Sequence, residues 1–183
     1  MGIVDFLTER AYAEHKKYCN DLKLRYSVLK KSEGRLSGLS LSEIAHKREI
    51  KREIRTEAIR LHSEIAAHEI YFSSFSSVGT CSRLVKRCYG SEASFLYEIF
   101  KASRDFGEGF CFIGKRGEDI YFKCVKTPSD ILLFSEPTLA VDLFEHAYFR
   151  DFGHGREDYL NSALQRLNLS VFDAPVSRSK REI

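Results

Sequence analysis

The sequence predicts an α+β fold in which a hairpin of long helices precedes an α/β unit with a small three-stranded antiparallel sheet. Two observations lead to this expectation. Apolar residues recur at helical spacing through most of the first 79 residues, whereas short β-type runs separated by turn residues occupy the region from 109 to 134. We therefore expect a helical hairpin domain over residues 1–79, an α/β domain over residues 90–170 and a flexible basic tail over residues 171–183.

The helical half contains two long amphipathic segments. Residues 4–31 contain neither proline nor glycine and predict the first helix, and the glycine- and serine-rich segment 32–40 predicts a loop. Ser40, with a glutamate three residues later, forms a capping box that opens a second helix. The apolar face of that helix runs from Ile50 to Phe75, and its opposite face carries lysines and arginines, as is typical of a solvated surface. Two such helices joined by a short loop should pack antiparallel.

The second half alternates between helix and strand signals. Ser91 is expected to cap a helix over residues 95–104. Three β-type runs follow, and a tight turn separates the first two, so the sequence predicts an antiparallel meander. After Pro137, two helices are expected. The predicted strands are residues 109–113, 119–125 and 130–134, and the predicted helices are residues 140–151 and 156–167.

Composition excludes several classes of protein. The chain has 29 Lys and Arg against 26 Asp and Glu, and this net charge of +3 is too small to indicate nucleic-acid binding by itself. No segment approaches the roughly 18 apolar residues of a membrane span, and early charges interrupt any signal sequence. The five cysteines are odd in number and contain no C-x-x-C pair, which argues against a zinc ribbon or a disulfide framework. We expect reduced thiols and a cytoplasmic location, or an organelle matrix.

Two histidines and one aspartate are candidate metal ligands. Asp142 and His146 are four residues apart on a predicted helix start, so both side chains should emerge from one face. A carboxylate with an imidazole suits iron or manganese, although such a pair is more often a structural hydrogen bond. His68 lies on the apolar face of the second helix, where a buried histidine is either a core residue with its own hydrogen bonds or a ligand.

Residues 140–159, AVDLFEHAYFRDFGHGREDY, resemble the signature of the iron/manganese superoxide dismutases, D-x-W-E-H-A-Y-Y with a later arginine and tyrosine. Three further blocks follow the order of that family. Residues 15–18 resemble its H-x-x-Y, residues 67–72 its N-H-x-F-x-W, and residues 105–112 its N-F-G-S-G-W-x-W. The resemblance extends from about Phe6 to Leu169, with four blocks in the order of the family, and it implies the iron/manganese superoxide dismutase fold.

The resemblance also implies a set of site residues. Members of the family hold iron or manganese with three histidines, one aspartate and a water, and the metal alternates between two oxidation states as it dismutates superoxide. Position by position, His68, Asp142 and His146 match three ligands, and Tyr18 matches a tyrosine beside the site. The fourth ligand is expected eight residues before that tyrosine, where the chain has Arg10.

Arg10 therefore indicates a lost ligand. A guanidinium stays protonated and offers no lone pair to a metal. We expect Arg10 instead to form an ion pair with Asp142, in the space where the metal would lie. His15, five residues further on, is expected to face away from this side of the helix.

Other positions of the resemblance differ around the site. Glu64 stands where iron-type members carry a glutamine that tunes the metal-bound water, and the chain has no tryptophan. Glu145 matches a glutamate that bridges the two subunits of a dimer, while the histidine and tyrosine of that interface are replaced by Glu14 and Phe149. A homodimer with altered contacts is expected.

Two functions remain open at this stage. The first is a catalytically impaired relative that serves an interaction or assembly role, with no metal bound or an incomplete site. Its partner would be a protein or a ribonucleoprotein, contacted through the basic tail and the Lys/Arg-rich helix face. The alternative is an active iron- or manganese-dependent superoxide dismutase. Neither function calls for a membrane.

Overall fold

The computed structural model describes residues 6–76 and 80–174 of the 183-residue chain. The described residues form a helical part followed by an α/β part, and this confirms the fold class expected from the sequence. In chain order the elements are α1 (Glu9–Ser32), α2 (Leu41–His46), α3 (Arg52–Ser73), α4 (Arg83–Tyr89), α5 (Glu92–Phe106), β1 (Phe110–Arg116), β2 (Asp119–Val125), α6 (Ser129–Leu132), β3 (Leu139–Asp142), α7 (Phe149–Phe152) and α8 (Arg156–Leu164). Short 3-10 helices occupy Gly34–Leu36, Glu145–Ala147 and Leu169–Asp173.

Helices α1 and α3 form the hairpin. The side chain of Thr8 caps α1 by accepting a hydrogen bond from the backbone of its first turn. The two helices run in opposite directions, because His15 near the start of α1 packs on Phe72 near the end of α3, while Arg25 farther along α1 pairs with Glu57 near the start of α3. Apolar side chains between the helices, together with the α2 region, form a small core of their own.

The second helix of the hairpin is interrupted. Ser40 forms the expected capping box, but the chain leaves the helical conformation over residues 47–51 and resumes it as α3. Ile50 lies in this interruption and is only 1% exposed, so the break allows its apolar side chain to pack in the core. Within the break, Arg35 donates a hydrogen bond to the carbonyl of Glu49, and Arg55 donates one to the carbonyl of Lys47.

The sheet has three antiparallel strands in the order β2-β1-β3. β1 is central: Phe110 lies opposite Asp142 of β3, and Cys111 lies opposite Cys124 of β2. The three-stranded antiparallel sheet was expected, but the order is not that of a meander. β1 therefore pairs on one side with its hairpin partner β2 and on the other with β3, the strand that carries Asp142.

The third strand was predicted in the wrong place. Residues 130–134 are not a strand: most of them belong to the short helix α6, and Phe134 beyond it is 83% exposed. Pro128 explains the difference, because its fixed φ suits the start of a helix and its carbonyl accepts a hydrogen bond from the Leu132 amide. The third strand is β3, in a segment that we expected to be helical.

Gly109 allows β1 to begin close to its neighbours. Its φ of +146° is a conformation that residues with a side chain rarely adopt, and a Cβ there would collide with the backbone carbonyl of Val125. On the other side, the Gly109 carbonyl accepts a hydrogen bond of 2.8 Å from the Leu143 amide, directly after β3.

The folded chain extends beyond the predicted boundary at residue 170. Phe172 is 2% exposed, and the Asp173 carboxylate accepts hydrogen bonds from the Ser82 hydroxyl and from backbone amides at the start of α4. Helix α8 ends at Leu164 rather than at residue 167. The basic residues 178–181 lie outside the described residues. Among the described helices, none is long and apolar enough to cross a membrane.

Candidate metal centre

Four side chains from the two halves of the molecule meet at one point. His15 of α1 and His68 of α3 face Asp142 at the end of β3 and His146 in the following 3-10 helix. One ligand atom of each side chain lies within 4.8 Å of the ligand atoms of the other three. Asp142 Oδ2 is at the centre, at 3.1 Å from His15 Nε2, 3.5 Å from His68 Nε2 and 3.2 Å from His146 Nε2.

His15 reaches the site because of the periodicity of α1. The buried residues of this helix are spaced three or four apart and form one stripe, so a histidine on that stripe must point inward. His15 is 1% exposed and packs between the rings of Tyr71 and Phe72. The stripe consists of Ala11, His15, Cys19, Leu22 and Tyr26.

The prediction that Arg10 would replace a ligand is wrong in its geometry. The Arg10 side chain is 73% exposed and pairs with Glu14 at 3.3 Å rather than with Asp142. Position 10 directly precedes the buried stripe, so its side chain emerges toward solvent. The prediction that His15 faces away is also wrong. The spacing of the buried stripe was the sequence signal that could have shown that His15 points inward. A count back from Tyr18 by family spacing selected Arg10, whereas the residue of α1 that lies in the cluster is His15.

His68 has a defined tautomer. Its Nδ1 lies 2.7 Å from the backbone carbonyl of Glu64, one helical turn earlier, and a carbonyl can only accept a hydrogen bond. Nδ1 therefore carries the proton, and in the neutral ring Nε2 presents its lone pair to the cluster. Burial lowers the pKa of His68, which favours this neutral form.

The sequence suggested that Asp142 and His146 lie on a helix start, but Asp142 ends a strand and His146 lies in a 3-10 helix. Pairing with β1 keeps the backbone of Asp142 extended. The chain then turns, and Asp142 Oδ1 accepts a 2.9 Å hydrogen bond from the Phe144 amide, which brings His146 back toward the carboxylate. The Tyr159 hydroxyl donates to the Asp142 carbonyl at 2.8 Å and fixes the end of the strand.

The polar atoms at the centre fit a cation better than they fit one another. Within the described part of the chain, both ring nitrogens of His15 and Oδ2 of Asp142 are buried without a hydrogen-bond partner. The 3.1 Å between His15 Nε2 and Asp142 Oδ2 is short, but the two groups are not aligned for a hydrogen bond. Buried polar atoms are costly unless satisfied, and an ion coordinated by all four side chains would satisfy them. Imidazole and carboxylate ligands without thiolate suit iron or manganese.

The charges of the cluster also favour a bound cation. Burial by itself would raise the pKa of Asp142, but contacts with His146 and His15 hold it well below its usual range, so the carboxylate stays ionised. Burial opposes a charge on His146, yet the neighbouring Asp142 raises the pKa of His146 above its ordinary value. The site thus holds a permanent negative charge that attracts a positive charge, either a proton on His146 or a metal ion.

A cleft of about 410 Å³ leads to the cluster from solvent. Tyr18 and His146 stand at its inner end with their ring centroids 4.4 Å apart. Burial, and then the charge of Glu64, raises the pKa of Tyr18, so its hydroxyl remains protonated at neutral pH. At the outer rim, Glu14 accepts ion pairs from Arg10 and from Arg150, each at 3.3 Å.

Glu64 has a charged partner of its own. Its carboxylate receives a 2.8 Å hydrogen bond from Arg60, and the same guanidinium binds Glu57 through two further hydrogen bonds. This pairing balances the negative charge that Glu64 brings near the site, one turn before His68.

Fold and site together define a protein with a cluster of three histidines and one aspartate, held between a helical hairpin and an α/β unit and suited to one metal ion. The family model of the iron/manganese superoxide dismutases, C-terminal domain, matches residues 77–174, which is more than half of the chain. The chain therefore belongs to the iron/manganese superoxide dismutase family.

Individual relatives agree with this assignment. A chloroplastic iron superoxide dismutase of Arabidopsis thaliana, numbered 1, is 32% identical over 111 residues, 55% of this chain and 51% of the relative. A second one from that plant, numbered 2, is 30% identical over 126 residues, 55% of this chain and 41% of the relative. The iron superoxide dismutase of Bacteroides fragilis is 26% identical over 120 residues, 60% and 62% of the two chains. The chain thus spans about half the length of the plant relatives that it matches.

Proposed function

We propose that this protein is an iron- or manganese-dependent superoxide dismutase whose metal is held by His15, His68, Asp142 and His146. The observation that carries the proposal is the convergence of these four side chains, with ligand atoms within 4.8 Å of one another and buried polar atoms left without hydrogen bonds. The family relationship adds support, because the relatives that match are named iron superoxide dismutases.

A bound ion would supply the one-electron chemistry by which one superoxide is oxidised and a second is reduced. The overall reaction turns two superoxide ions and two protons into dioxygen and hydrogen peroxide. Three of the four side chains, from His15, His68 and Asp142, are at most 2% exposed, so they exclude bulk water from the inner side of the site. Access is left to the cleft beside His146, which suits a small anion.

Tyr18 is the side chain of this chain that can hand over a proton. Its ring lies 4.4 Å from that of His146 and 5.4 Å from that of His68, and 39% of the residue is exposed to the cleft. Since its pKa is raised, the hydroxyl is present as a donor, and water in the cleft can replace the proton that it gives.

The non-catalytic function, as an interaction or assembly component, has less support. It was inferred from a missing fourth ligand, and His15 supplies a histidine at that point of the cluster. The non-catalytic function is still supported by changes around the four candidate ligands. Glu64 stands in place of a glutamine, and phenylalanines such as Phe110 and Phe144 stand where the family has tryptophans. These residues would change the potential of a bound metal rather than prevent binding. A protein or ribonucleoprotein partner would belong to this second function.

A homodimer is also part of the proposal. Glu145 and Phe149 are exposed at the rim of the cleft, next to His146, where a second subunit could cover the site. Glu14 lies on the same rim and already pairs with two arginines, so the contacts of this interface would differ from those of a histidine and tyrosine pair.

The test compares two positions of α1. The chain is purified from a medium replete in iron and manganese, and bound metal and dismutase rate are measured for wild type, His15→Gln and Arg10→Gln. We expect about one metal per wild-type chain, loss of metal and activity in His15→Gln, and no change in Arg10→Gln, because only His15 points at the cluster.

One additional variant separates the two functions. If Arg10→His binds metal and gains activity while wild type has neither, the four-residue site is refuted and the non-catalytic function is favoured. If wild type and Arg10→Gln both bind metal and turn over superoxide, the non-catalytic function fails.

A further inference from the structure

The face of the sheet that lies away from the metal centre carries two cysteines that the dismutase chemistry does not use. Cys111 of β1 and Cys124 of β2 lie directly opposite each other in the antiparallel register. Both are free thiols. Phe110 and Phe112 stack on each other, and Phe110 contacts His68, so the alternating Cys111 side chain points to the other side, toward α5.

The register brings the two thiols within bonding reach. Directly opposed residues of an antiparallel pair have Cα atoms about 4.5 or 5.5 Å apart, and disulfides form at Cα separations of about 4.4–6.8 Å. Each of the two thiols shifts the pKa of the other, as neighbouring groups do. The register therefore places the two cysteines at a backbone separation that a disulfide can span.

The pair is chemically asymmetric. Cys111 is fully buried, and the neighbouring Cys124 thiol together with burial raises its pKa. Cys124 is only partly buried, and the neighbouring Cys111 thiol lowers its pKa, assisted by the Ser103 hydroxyl at 3.9 Å and by the charge of Arg156. Such an arrangement favours the thiolate, and with it the attack on an oxidant, at Cys124 rather than at Cys111.

Arg156 gives the site an unused donor. Its guanidinium holds three backbone carbonyls, including those of Ser103 and Leu143, so it is fixed in place. Its Nε is buried and has no hydrogen-bond partner among the described residues. The positive charge of this fixed guanidinium favours negative charge on the Cys124 sulfur.

We propose that Cys111 and Cys124 form a redox-active pair that hydrogen peroxide oxidises to a disulfide across β1 and β2. The Cys124 thiolate attacks one peroxide oxygen, the O–O bond breaks, and the leaving hydroxide takes up a proton as water. The Cys111 thiol then attacks the sulfenic sulfur of Cys124, the S–S bond forms, and a second water leaves. The two sulfurs lose two electrons in total, and the peroxide gains them.

The experiment uses the chain with its two exposed cysteines removed. Cys81→Ser/Cys88→Ser leaves three of the five thiols and eliminates exposed competitors. After treatment with hydrogen peroxide, or with diamide as an oxidant that needs no metal, thiols are counted under denaturing conditions and tryptic peptides are mapped without reduction. Cleavage after Lys115 and Lys123 places Cys111 and Cys124 on separate peptides, so the link between them can be identified directly.

We expect the thiol count to fall from three to one, the Cys111–Cys124 peptide link to appear, and dithiothreitol to reverse both changes. In a Cys111→Ser chain of the same background, a sulfenic-acid reagent such as dimedone should label Cys124, whereas Cys124→Ser should leave Cys111 unlabelled. Either of two results overturns the proposal: both thiols stay reduced until the chain is denatured, or the lost thiols map to other residues. Because the oxidants are added from outside, these results do not depend on dismutase activity.

Discussion

The inner and outer halves of the metal site are built differently. On the inner side, His15, His68 and Asp142 are at most 2% exposed and come from a helix stripe, a second helix and a strand end. On the outer side, the side chain of His146 is 29% exposed and lies in a short 3-10 turn beside Tyr18. Packing fixes the inner positions, whereas solvent and a cleft border the outer ones. Changes to the inner half should therefore remove the metal, and changes to the outer half should alter rates.

The largest effect is expected from Asp142→Asn. The amide keeps the shape of the side chain but removes the one negative charge among the four ligand groups, and one of its oxygen positions becomes a donor. Metal affinity should fall more than about 100-fold, with loss of dismutase activity, because losing a ligand exceeds the usual effect of an outer contact. Bound metal is measured after purification. Asp130→Asn, an exposed aspartate in α6, serves as the control. Wild-type metal content in Asp142→Asn would refute its role.

A smaller effect is expected from pH, through the outer ligand. His146 must lose its proton before Nε2 can bind a metal, and Asp142 raises the pKa of His146 above the ordinary histidine value. The protonated form prevails below that raised pKa, so metal affinity should fall by at least about tenfold per pH unit there and level off above it. Competition with a chelator for Mn²⁺ across neutral pH gives the curve. An affinity independent of pH from about 5.5 to 8 would contradict this competition.

Tyr18→Phe should have the smallest of the three effects. The ring remains, and no ligand atom is lost, so metal content should match wild type. The dismutase rate should fall by about fivefold to tenfold, less than is typical for a buried proton donor, because water in the cleft can partly replace the hydroxyl. Steady-state rates at several superoxide concentrations measure the loss. A rate equal to that of wild type would remove Tyr18 from the proton path.

The same two halves explain what the sequence could predict. The helical hairpin and the three-stranded antiparallel sheet were predictable, since periodicity and turn residues are local signals. Asp142 and His146 were found as a pair, although the helix assigned to them is a strand and a turn: pairing with β1, which local propensity does not report, decides that backbone. His15 was missed because spacing within a family motif was given more weight than the buried stripe of α1.

The third strand was assigned to the segment that forms α6 instead of to β3 for a similar reason. The run at 130–134 is apolar enough for a strand, but Pro128 favours a helical turn, and β1 already has a partner on the side of β2. Only one edge of β1 was left, and Leu139–Asp142 occupies it. Which of two apolar runs occupies an open edge is a question of tertiary competition, and a single sequence carries little information about it.

Tolerance to mutation differs sharply between Gly109 and residues such as Arg10. Gly109 supplies no ligand and no proton, yet its positive φ and the Val125 carbonyl beside it leave no space for any other residue without moving β1. Arg10, close to the proposed ligand His15 in sequence, points into solvent and can be replaced by many side chains. In a library of single substitutions, the constrained positions should therefore trace the start of the central strand as clearly as they trace the metal ligands.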